Sequence, residues 1–233
     1  MNKVTVKIPG MNDFGTQEAY KVLRTNLQFC GPDIRVIAVT SCLENEGKST
    51  VSLHLARSMA EMGKRVLVID ADMRKSVMQS RNTDARQSQG LSESLTGQAR
   101  LADCICETQY PTMHLLLSGQ YPPNPVELLE GKYFSTLLTQ TRKVFDYIIV
   151  DTPPLGQVID AAVIAPKCDG IILVLGSDRV RYRDVMGVKE QLEKGGSRIL
   201  GLVRNNVRSK NRRYYNKYYY GGEKSPSRFR WRK

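Results

Sequence analysis

The stretch Ser41-Cys42-Leu43-Glu44-Asn45-Glu46-Gly47-Lys48-Ser49-Thr50 decides the fold of this 233-residue chain. It follows an apolar run, Val36 to Val39, and leads into residues 53–60, whose apolar side chains are spaced as on a helix. A phosphate-binding loop requires this order of strand, loop and helix, because backbone N–H groups at the helix start then point at the phosphates. Lys48 suits charge neutralisation in such a loop, and the Ser49 hydroxyl suits a magnesium ion.

The loop departs from the strict pattern G-x-x-x-x-G-K-[ST], which requires a glycine where this chain has Cys42. Short G-K-S-T runs recur by chance, so this run alone leaves open a helix that merely starts with Gly-Lys. Glu44 also stands inside the loop, and because a carboxylate would repel phosphates, we expect its side chain to lie outside the cradle.

Two acidic segments favour the nucleotide site. Residues 66–69 end in Asp70-Ala71-Asp72-Met73-Arg74, and residues 147–150 end in Asp151-Thr152-Pro153-Pro154. Each segment places a carboxylate at the carboxyl end of an apolar strand, which is where open α/β sheets bind ligands. Carboxylates that converge beside a phosphate loop suit Mg²⁺, a hard cation that prefers oxygen ligands.

Strand and helix patterns alternate along most of the chain. Short continuous apolar runs are typical of strands buried on both faces, and helical spacing between them indicates crossover helices. We therefore predict an α/β fold with a doubly wound, mainly parallel sheet flanked by helices. The predicted strands are 36–39, 66–69, 114–117, 147–150, 171–175 and 199–203; the predicted helices are 16–29, 49–62, 126–143, 158–165 and 180–194, with a broken helical region at 90–106.

The C-terminal segment 208–233 differs in composition from the rest. It holds ten Lys and Arg against one acid, Glu223, so it carries +9 of the chain's net charge of +12. Periodicity vanishes there, and we expect a flexible, disordered basic tail. Five tyrosines lie close together in it: Tyr214, Tyr215, Tyr218, Tyr219 and Tyr220.

The remaining composition indicates a reduced, cytoplasmic setting. The five cysteines are odd in number and scattered, without the paired spacing of a zinc site or a disulfide framework. The sequence shows no apolar run near the ~20 residues needed to cross a bilayer, and we expect a chain that does not itself span the membrane.

At these residues the chain resembles the bacterial protein-tyrosine kinases (BY-kinases) of capsule and exopolysaccharide systems, relatives of the MinD/ParA-type P-loop ATPases. The resemblance runs from about residue 18 to 207 and resumes in the tyrosine tail. Its segments are 41–50 (Walker A), 66–74 (Walker A-prime), 147–154 (Walker B), 18–26 (similar to an E-x-x-R-x-x-R assembly helix), 119–129 and 201–207 (similar to the family's G-V-x-x-N-N-x strand).

The resemblance implies a role for each site residue, with ATP and Mg²⁺ as cofactors. Lys48, Asp70, Asp72 and Asp151 would be catalytic, with Asp72 taking the tyrosine proton and Ser49, Asp70 and Asp151 holding the metal. Nucleotide contacts would come from Glu46, Gly47, Lys48, Ser49, Thr50, Arg74, Asn205 and Asn206, and oligomer contacts from Glu18, Lys21 and Arg24. A surface ion pair stays open as the alternative role of Arg74. The five tail tyrosines would be the autophosphorylation sites.

The resemblance also implies an organisation and partners. We expect an N-terminal extension (1–15), a P-loop kinase domain (16–207) whose helix 16–30 serves oligomerisation, and the tail (208–233). The expected assembly is a ring, with an octamer as one size. The expected partners are a separate transmembrane activator of polysaccharide synthesis that recruits the chain to the inner membrane face, a tyrosine phosphatase and an anionic membrane surface.

Two other functions stay open from the sequence. A MinD/ParA-like ATPase without kinase activity would share the fold, although such proteins usually carry a second lysine early in the loop, and residues 41–46 contain none. A nucleic-acid-binding protein would use the basic, aromatic tail to contact phosphates and stack on bases. We do not expect nucleic acid as the partner, because that function leaves the acidic segments unexplained.

Overall fold

The computed structural model describes residues 2–10, 13–85, 89–177 and 180–207, so the predicted tail and its tyrosine cluster lie outside the described residues. The strands are β1 (Asn2–Lys3), β2 (Val36–Ser41), β3 (Val66–Asp70), β4 (Ile105–Glu107), β5 (Met113–Leu116), β6 (Tyr147–Asp151), β7 (Gly170–Gly176) and β8 (Ile199–Asn205). The helices are α1 (Phe14–Phe29), α2 (Lys48–Ala60), α3 (Leu91–Leu95), α4 (Leu101–Cys104), α5 (Pro125–Glu130), α6 (Lys132–Thr141), α7 (Asp160–Ile164) and α8 (Tyr182–Lys194), with a π-helical turn (Met78–Asn82) and a 3-10 turn (Ala165–Lys167).

The described strands form one sheet in the order β1-β4-β5-β3-β6-β2-β7-β8. Neighbouring strands run parallel, except that β4 and β5 are antiparallel. The carboxyl ends of β2, β3 and β6 therefore lie side by side at the same end of the strands. The loop after β2 and the two acidic segments lie together there, as expected for a ligand site in an open α/β sheet.

The sheet is covered on both faces, as the continuous apolar runs predict. Successive side chains of a strand point to opposite faces, so Val36 and Ala38 pack in one hydrophobic core while Ile37 and Val39 pack in the other. The second core includes apolar side chains of α1 and α2, and the first includes those of α5 to α8. Burial on both faces fixes the central strands and hence the site at their ends.

Local sequence signals explain where α1 begins and ends. The Asp13 carboxylate accepts a hydrogen bond from the Thr16 backbone N–H at 3.0 Å, which caps the first turn. The helix ends at Phe29, just before Gly31, whose φ of +132° does not continue a helix, and Pro32. The predicted helix 16–29 is thus observed with its start two residues earlier.

The mainly parallel sheet flanked by helices is confirmed, but two predicted segments are wrong in detail. The region 90–106, predicted as broken helix, contains α3, α4 and then the start of β4, a strand too short for its pattern to be read from sequence. The predicted helix 126–143 is two helices, α5 and α6, because Gly131 between them has an extended ψ of 160°.

The segment predicted as an N-terminal extension takes part in the sheet and the core. Strand β1 pairs in parallel with β4, and the side chains of Val4, Val6 and Ile8 are buried in the core that contains α1 and α2. Alternate residues are buried here, so this segment behaves as the edge of the sheet.

Among the residues described by the structure, no helix combines the length and the apolar character that a bilayer span requires.

Candidate nucleotide and phosphoryl-transfer site

The loop between β2 and α2 has the backbone shape that a phosphate cradle needs. Gly47 has a φ of +90° and immediately precedes α2, so the first N–H groups of this helix face the loop. Asn45 also has a positive φ, +61°. A Cβ atom on Gly47 would lie 2.0 Å from Asn205 Nδ2, so both the backbone angle and the packing require glycine here.

Glu46 fixes this loop to the body of the sheet. Its side chain is fully buried, and its two carboxylate oxygens accept hydrogen bonds from the backbone N–H groups of Leu43 (2.6 Å) and Gly176 (2.7 Å). Asn205 adds a third tie, since its Nδ2 donates to the Glu46 carbonyl oxygen at 2.9 Å. The Glu46 carboxylate is therefore turned into the protein, so any nucleotide contact from this residue comes from its backbone.

Glu44 borders the same cavity as Lys48, and its charge is paired. Its carboxylate is half exposed and forms an ion pair with Lys75 at 3.3 Å. The Lys75 ammonium group therefore offsets the charge of Glu44, and the position of Glu44 outside the cradle stays a prediction.

Asp70 and Asp151 end neighbouring parallel strands and are partners in the register of β3 and β6. Both side chains are buried. Asp151 Oδ1 accepts a hydrogen bond from Ser52 Oγ at 3.1 Å, whereas Oδ2 is buried without a hydrogen-bond partner among the described residues. An unsatisfied carboxylate oxygen in a buried position is costly unless a ligand contacts it.

Burial dominates the electrostatics of this pair. It raises the pKa of Asp151 to about 6, and the positive charge of Lys48 opposes the rise. Burial also raises the pKa of Asp70 well above its usual range, and the neighbouring Asp151 charge raises it further. Two carboxylates in this setting attract a cation, which would compensate both charges.

Hydrogen bonds orient the segment after β3. Asp70 accepts hydrogen bonds from Ser76 Oγ and from the Asp72 backbone N–H, the latter at 3.3 Å. Asp72 Oδ1 accepts from the Lys75 N–H at 3.0 Å, so this carboxylate is fixed close to the strand end. Asp72 and Lys48 both line a cavity of about 180 Å³, where an acidic group and an ammonium group face the same space.

The residues present fit a magnesium ion. The unpartnered Asp151 Oδ2, the neighbouring Asp70 carboxylate and the Ser49 hydroxyl are oxygen donors of the kind that Mg²⁺ prefers. No group of three or more His, Cys, Asp and Glu side chains in the described part of the chain is arranged to hold a metal. A site with few protein ligands suits Mg²⁺, which retains water and binds substrate phosphates.

Arg74 lies at the edge of this site, held by a residue that the sequence reasoning missed. Its Nε atom is 3.0 Å and 3.3 Å from the two carboxylate oxygens of Asp160, which begins α7 and is fully buried. The signal for Asp160 was available, because it is a lone acid in the apolar stretch 158–164. Ser52 and Ser76 were also missed, since single serines carry no pattern.

The other predicted contact residues lie on α2 and at the end of β8. Thr50 is in the first turn of α2. Asn205 touches the loop directly, as described above, whereas Asn206 follows β8 with a positive φ of +56°. The nucleotide contact of these asparagines stays a prediction, and the side chain of Asn205 already has a partner in the loop.

The predicted oligomer residues of α1 make contacts within the subunit. Lys21 Nζ and Glu18 Oε1 form an exposed ion pair at 2.7 Å. Arg24 is turned inward, and its Nη1 donates to the backbone carbonyl and the hydroxyl of Ser58 on α2. Of the three predicted oligomer residues, Arg24 thus helps to pack α1 on α2.

A parallel sheet whose central strand leads through this loop into a helix, with two carboxylates beside it, defines a P-loop nucleotide-binding protein. Residues 34–194 match the family model described as AAA domain. Tyrosine-protein kinase CpsD of Streptococcus agalactiae is 45% identical over 192 residues, which are 82% of this chain and 84% of that protein. The chain belongs to the AAA domain family and, within it, to the bacterial tyrosine-protein kinases of capsule and exopolysaccharide type; it is a protein-tyrosine kinase.

Solved structures agree with this assignment. The kinase domain of Escherichia coli tyrosine kinase ETK superposes with a TM-score of 0.78 and 34% identity, covering 82% of this chain and 75% of that one. The septum site-determining protein MinD of Pyrococcus horikoshii, complexed with Mg-ADP, has a TM-score of 0.61 and 26% identity over 76% of this chain and 72% of that one. The predicted family and its relation to MinD-type ATPases are confirmed.

Proposed function

We propose that this kinase uses Mg-ATP to phosphorylate the tyrosine cluster of its own C-terminal segment, with each subunit modifying a neighbour in a ring. The acceptors would be Tyr214, Tyr215, Tyr218, Tyr219 and Tyr220. Because the chain belongs to the tyrosine kinases of capsule and exopolysaccharide type, we propose that this modification regulates capsular or extracellular polysaccharide synthesis and export.

One observation carries the proposal for the chemistry. The buried pair Asp70 and Asp151, with the unpartnered Oδ2 of Asp151, lies at the carboxyl ends of neighbouring strands beside the loop that ends in Gly47. This arrangement supports a site for a metal ion with a triphosphate, because the cation would compensate the negative charges of both the carboxylates and the phosphates. When bound, Mg²⁺ would neutralise charge on the phosphates.

The residues take these roles in the proposed reaction. Lys48 contacts the β- and γ-phosphates, and Ser49, Asp70 and Asp151 hold the metal. The bond between the γ-phosphorus and the oxygen that bridges to the β-phosphate breaks, a bond forms from the tyrosine oxygen to that phosphorus, and ADP leaves. The phenolic proton passes to the Asp72 carboxylate, which faces the same cavity as Lys48. Such transfer depends mainly on positioning and charge stabilisation.

Charge on the tail suggests how the modification acts. Each phosphate adds about −1.5 to −2, so five would add roughly −7.5 to −10. This is close in size to the +9 of residues 208–233. An unmodified tail would bind an anionic membrane surface at about 1 kcal/mol per basic residue near it, and modification would release the tail and weaken the ring.

The family type also suggests the cellular setting. We propose that a separate transmembrane protein of the polysaccharide system recruits and activates the chain at the inner face of the plasma membrane, and that a tyrosine phosphatase reverses the modification. A chain of this kind would work in the cytoplasm, next to the machinery it regulates.

The experiment uses the full chain with Mg-ATP and maps phosphotyrosine by mass spectrometry, with and without an activator peptide. We expect labels on the tail, lost in Lys48→Met. For transfer between subunits, Lys48→Met is mixed with a variant whose five tail tyrosines are Phe. Labelled Lys48→Met tails support transfer in trans. Hydrolysis of ATP without any phosphotyrosine would contradict the proposal and favour a MinD-like ATPase without kinase activity.

A further inference from the structure

Asp160 is a fully buried carboxylate with a single described partner. It begins α7, and both of its oxygens face the Nε atom of Arg74, at 3.0 Å and 3.3 Å. A buried carboxylate is expensive unless a cation pairs with it, so the protein gains little by keeping one for packing alone. The pair joins two segments that leave neighbouring strands: Arg74 follows β3, and Asp160 follows β6.

Arg74 lies between two cavities. The smaller, of about 180 Å³, contains Lys48 and Asp72 and is the phosphate side of the site. The larger, of about 630 Å³, contains Ser76, Gln79 and Tyr121, and Arg74 lines both. A guanidinium at this boundary borders the space that Lys48 and Asp72 line, so it lies beside the proposed path of the phosphoryl group.

The pairing leaves the two terminal amino groups of Arg74 available. Asp160 uses Nε, and the Nη atoms have no hydrogen-bond partner among the residues that the structure describes. A guanidinium is planar, so fixing Nε orients the Nη groups as a rigid fork. Two N–H donors held in one direction match the oxygens of a phosphoryl group.

We propose that Asp160 is a positioning residue for phosphoryl transfer: it holds Arg74 at the boundary of the two cavities with both Nη groups directed at the transferring group. Arg74 then stabilises charge in the transition state and contributes little to nucleotide binding. The inference rests on the proposed kinase reaction and deepens it by naming the side chain that positions a positive charge beside the transferring group.

The test compares full-length Asp160→Asn, Arg74→Ala and the double variant. We expect Asp160→Asn to lower the turnover of tail phosphorylation by about 10- to 100-fold, the range that a small misplacement of a catalytic group produces. The KM for ATP and the affinity for ADP should change less than about threefold. Because Asp160 acts through Arg74, Asp160→Asn should cause no further loss in the Arg74→Ala background.

Asp169→Asn is the matched control. Asp169 also pairs with an arginine, at 2.7 Å from Arg142 Nη2, but it lies where β2 and β7 begin, at the edge of the sheet opposite the site. It should lower the unfolding temperature without lowering turnover per folded molecule. Measuring unfolding for every variant separates misfolding from misplacement of Arg74.

Each outcome decides the inference. Unchanged turnover in Asp160→Asn overturns it, as do turnover losses that multiply in the double variant, and as does a loss of ADP affinity equal to the loss of turnover. The inference is supported if Asp160→Asn lowers turnover without an equal loss of ADP affinity and causes no further loss in the Arg74→Ala background. Asp169→Asn should keep the wild-type turnover. If the wild-type chain phosphorylates no tyrosine, the proposed reaction itself fails, and ADP affinity still reports on the site.

Discussion

The side chain of Asn205 holds the phosphate-binding loop through the backbone of Glu46. Its Nδ2 atom donates to the Glu46 carbonyl oxygen at 2.9 Å, and so links the end of the outer strand β8 to the residue before Gly47. This contact spans 159 positions of sequence. The edge strand of the sheet therefore takes part in shaping the cradle.

Asn205→Ala should weaken nucleotide binding by roughly three- to tenfold, because loss of one hydrogen bond of about 1 kcal/mol releases the loop carbonyl. The fold should be retained, since Asn205 is only partly buried. Fluorescent ADP titration measures the change. Asn124→Ala, which removes an exposed asparagine paired with Glu127, is the control and should leave affinity unchanged. Equal affinities for both variants would show that the contact does not shape the cradle.

Gly47→Ala should abolish nucleotide binding for two combined reasons. The φ of +90° disfavours any side chain, and the added Cβ would lie 2.0 Å from Asn205 Nδ2. Gly63→Ala separates the two causes, because Gly63 has a φ of +74° with open space around it. We expect this control to lose about 1 kcal/mol of stability and to bind ADP normally. The double variant Gly47→Ala/Asn205→Ala should recover part of the binding if the clash matters.

Sequence predicted the centre of this molecule well and its edges poorly. The runs that became β2, β3 and β6 are short, rich in Val and Ile and buried on both faces, which indicates strands. Strands β1 and β4 have two and three residues and gain their stability from pairing, which a local pattern does not contain. Asp13 was missed for a different reason: its capping contact with Thr16 is local, but the predicted helix began at residue 16.

The candidate site divides in the same way. Lys48, Asp70 and Asp151 are predictable, because a strand end followed by an acid or by Gly-Lys is a local signal. The Asp160 partner of Arg74 depends on where α7 packs, 86 positions away in sequence. The buried position of the Glu46 side chain likewise depends on the N–H of Gly176, 130 positions away. Long-range partners of this kind need the fold.

Asp151→Asn should stabilise the protein without metal at neutral pH. Burial raises the pKa of Asp151 from 3.8 to about 6. Between about pH 4 and pH 6 the unfolded chain releases this proton while the folded chain keeps it, so the wild type loses stability as pH rises through this window. Above pH 6 the folded carboxylate is charged and the penalty is complete. Asn carries no charge, so the variant does not lose this stability as pH rises.

Thermal unfolding of wild type and Asp151→Asn from pH 4 to pH 8 measures this effect. The two proteins should differ least near pH 4, and the variant should become the more stable one as pH rises past 6. With Mg²⁺ and ADP at pH 8, the wild type should gain more stability than the variant, since only the wild type has the charged carboxylate for the metal. A constant difference at all pH values would mean that folding does not raise the pKa of Asp151.

Arg24→Ala should destabilise the single subunit, whereas changes at Glu18 or Lys21 should not. Arg24 donates from Nη1 to the carbonyl of Ser58 and so fastens α1 to α2, and a hydrogen bond from a charged donor contributes about 1.5–3 kcal/mol. The Glu18–Lys21 pair is exposed on both sides, and such surface pairs contribute about 0–1 kcal/mol. Denaturant unfolding measures the free energy of unfolding of each variant, and analytical ultracentrifugation measures assembly.

If Glu18→Ala and Lys21→Ala reduce the oligomer while keeping the wild-type free energy of unfolding, this face of α1 contacts a neighbouring subunit. If they change neither quantity, the proposed ring does not use this face.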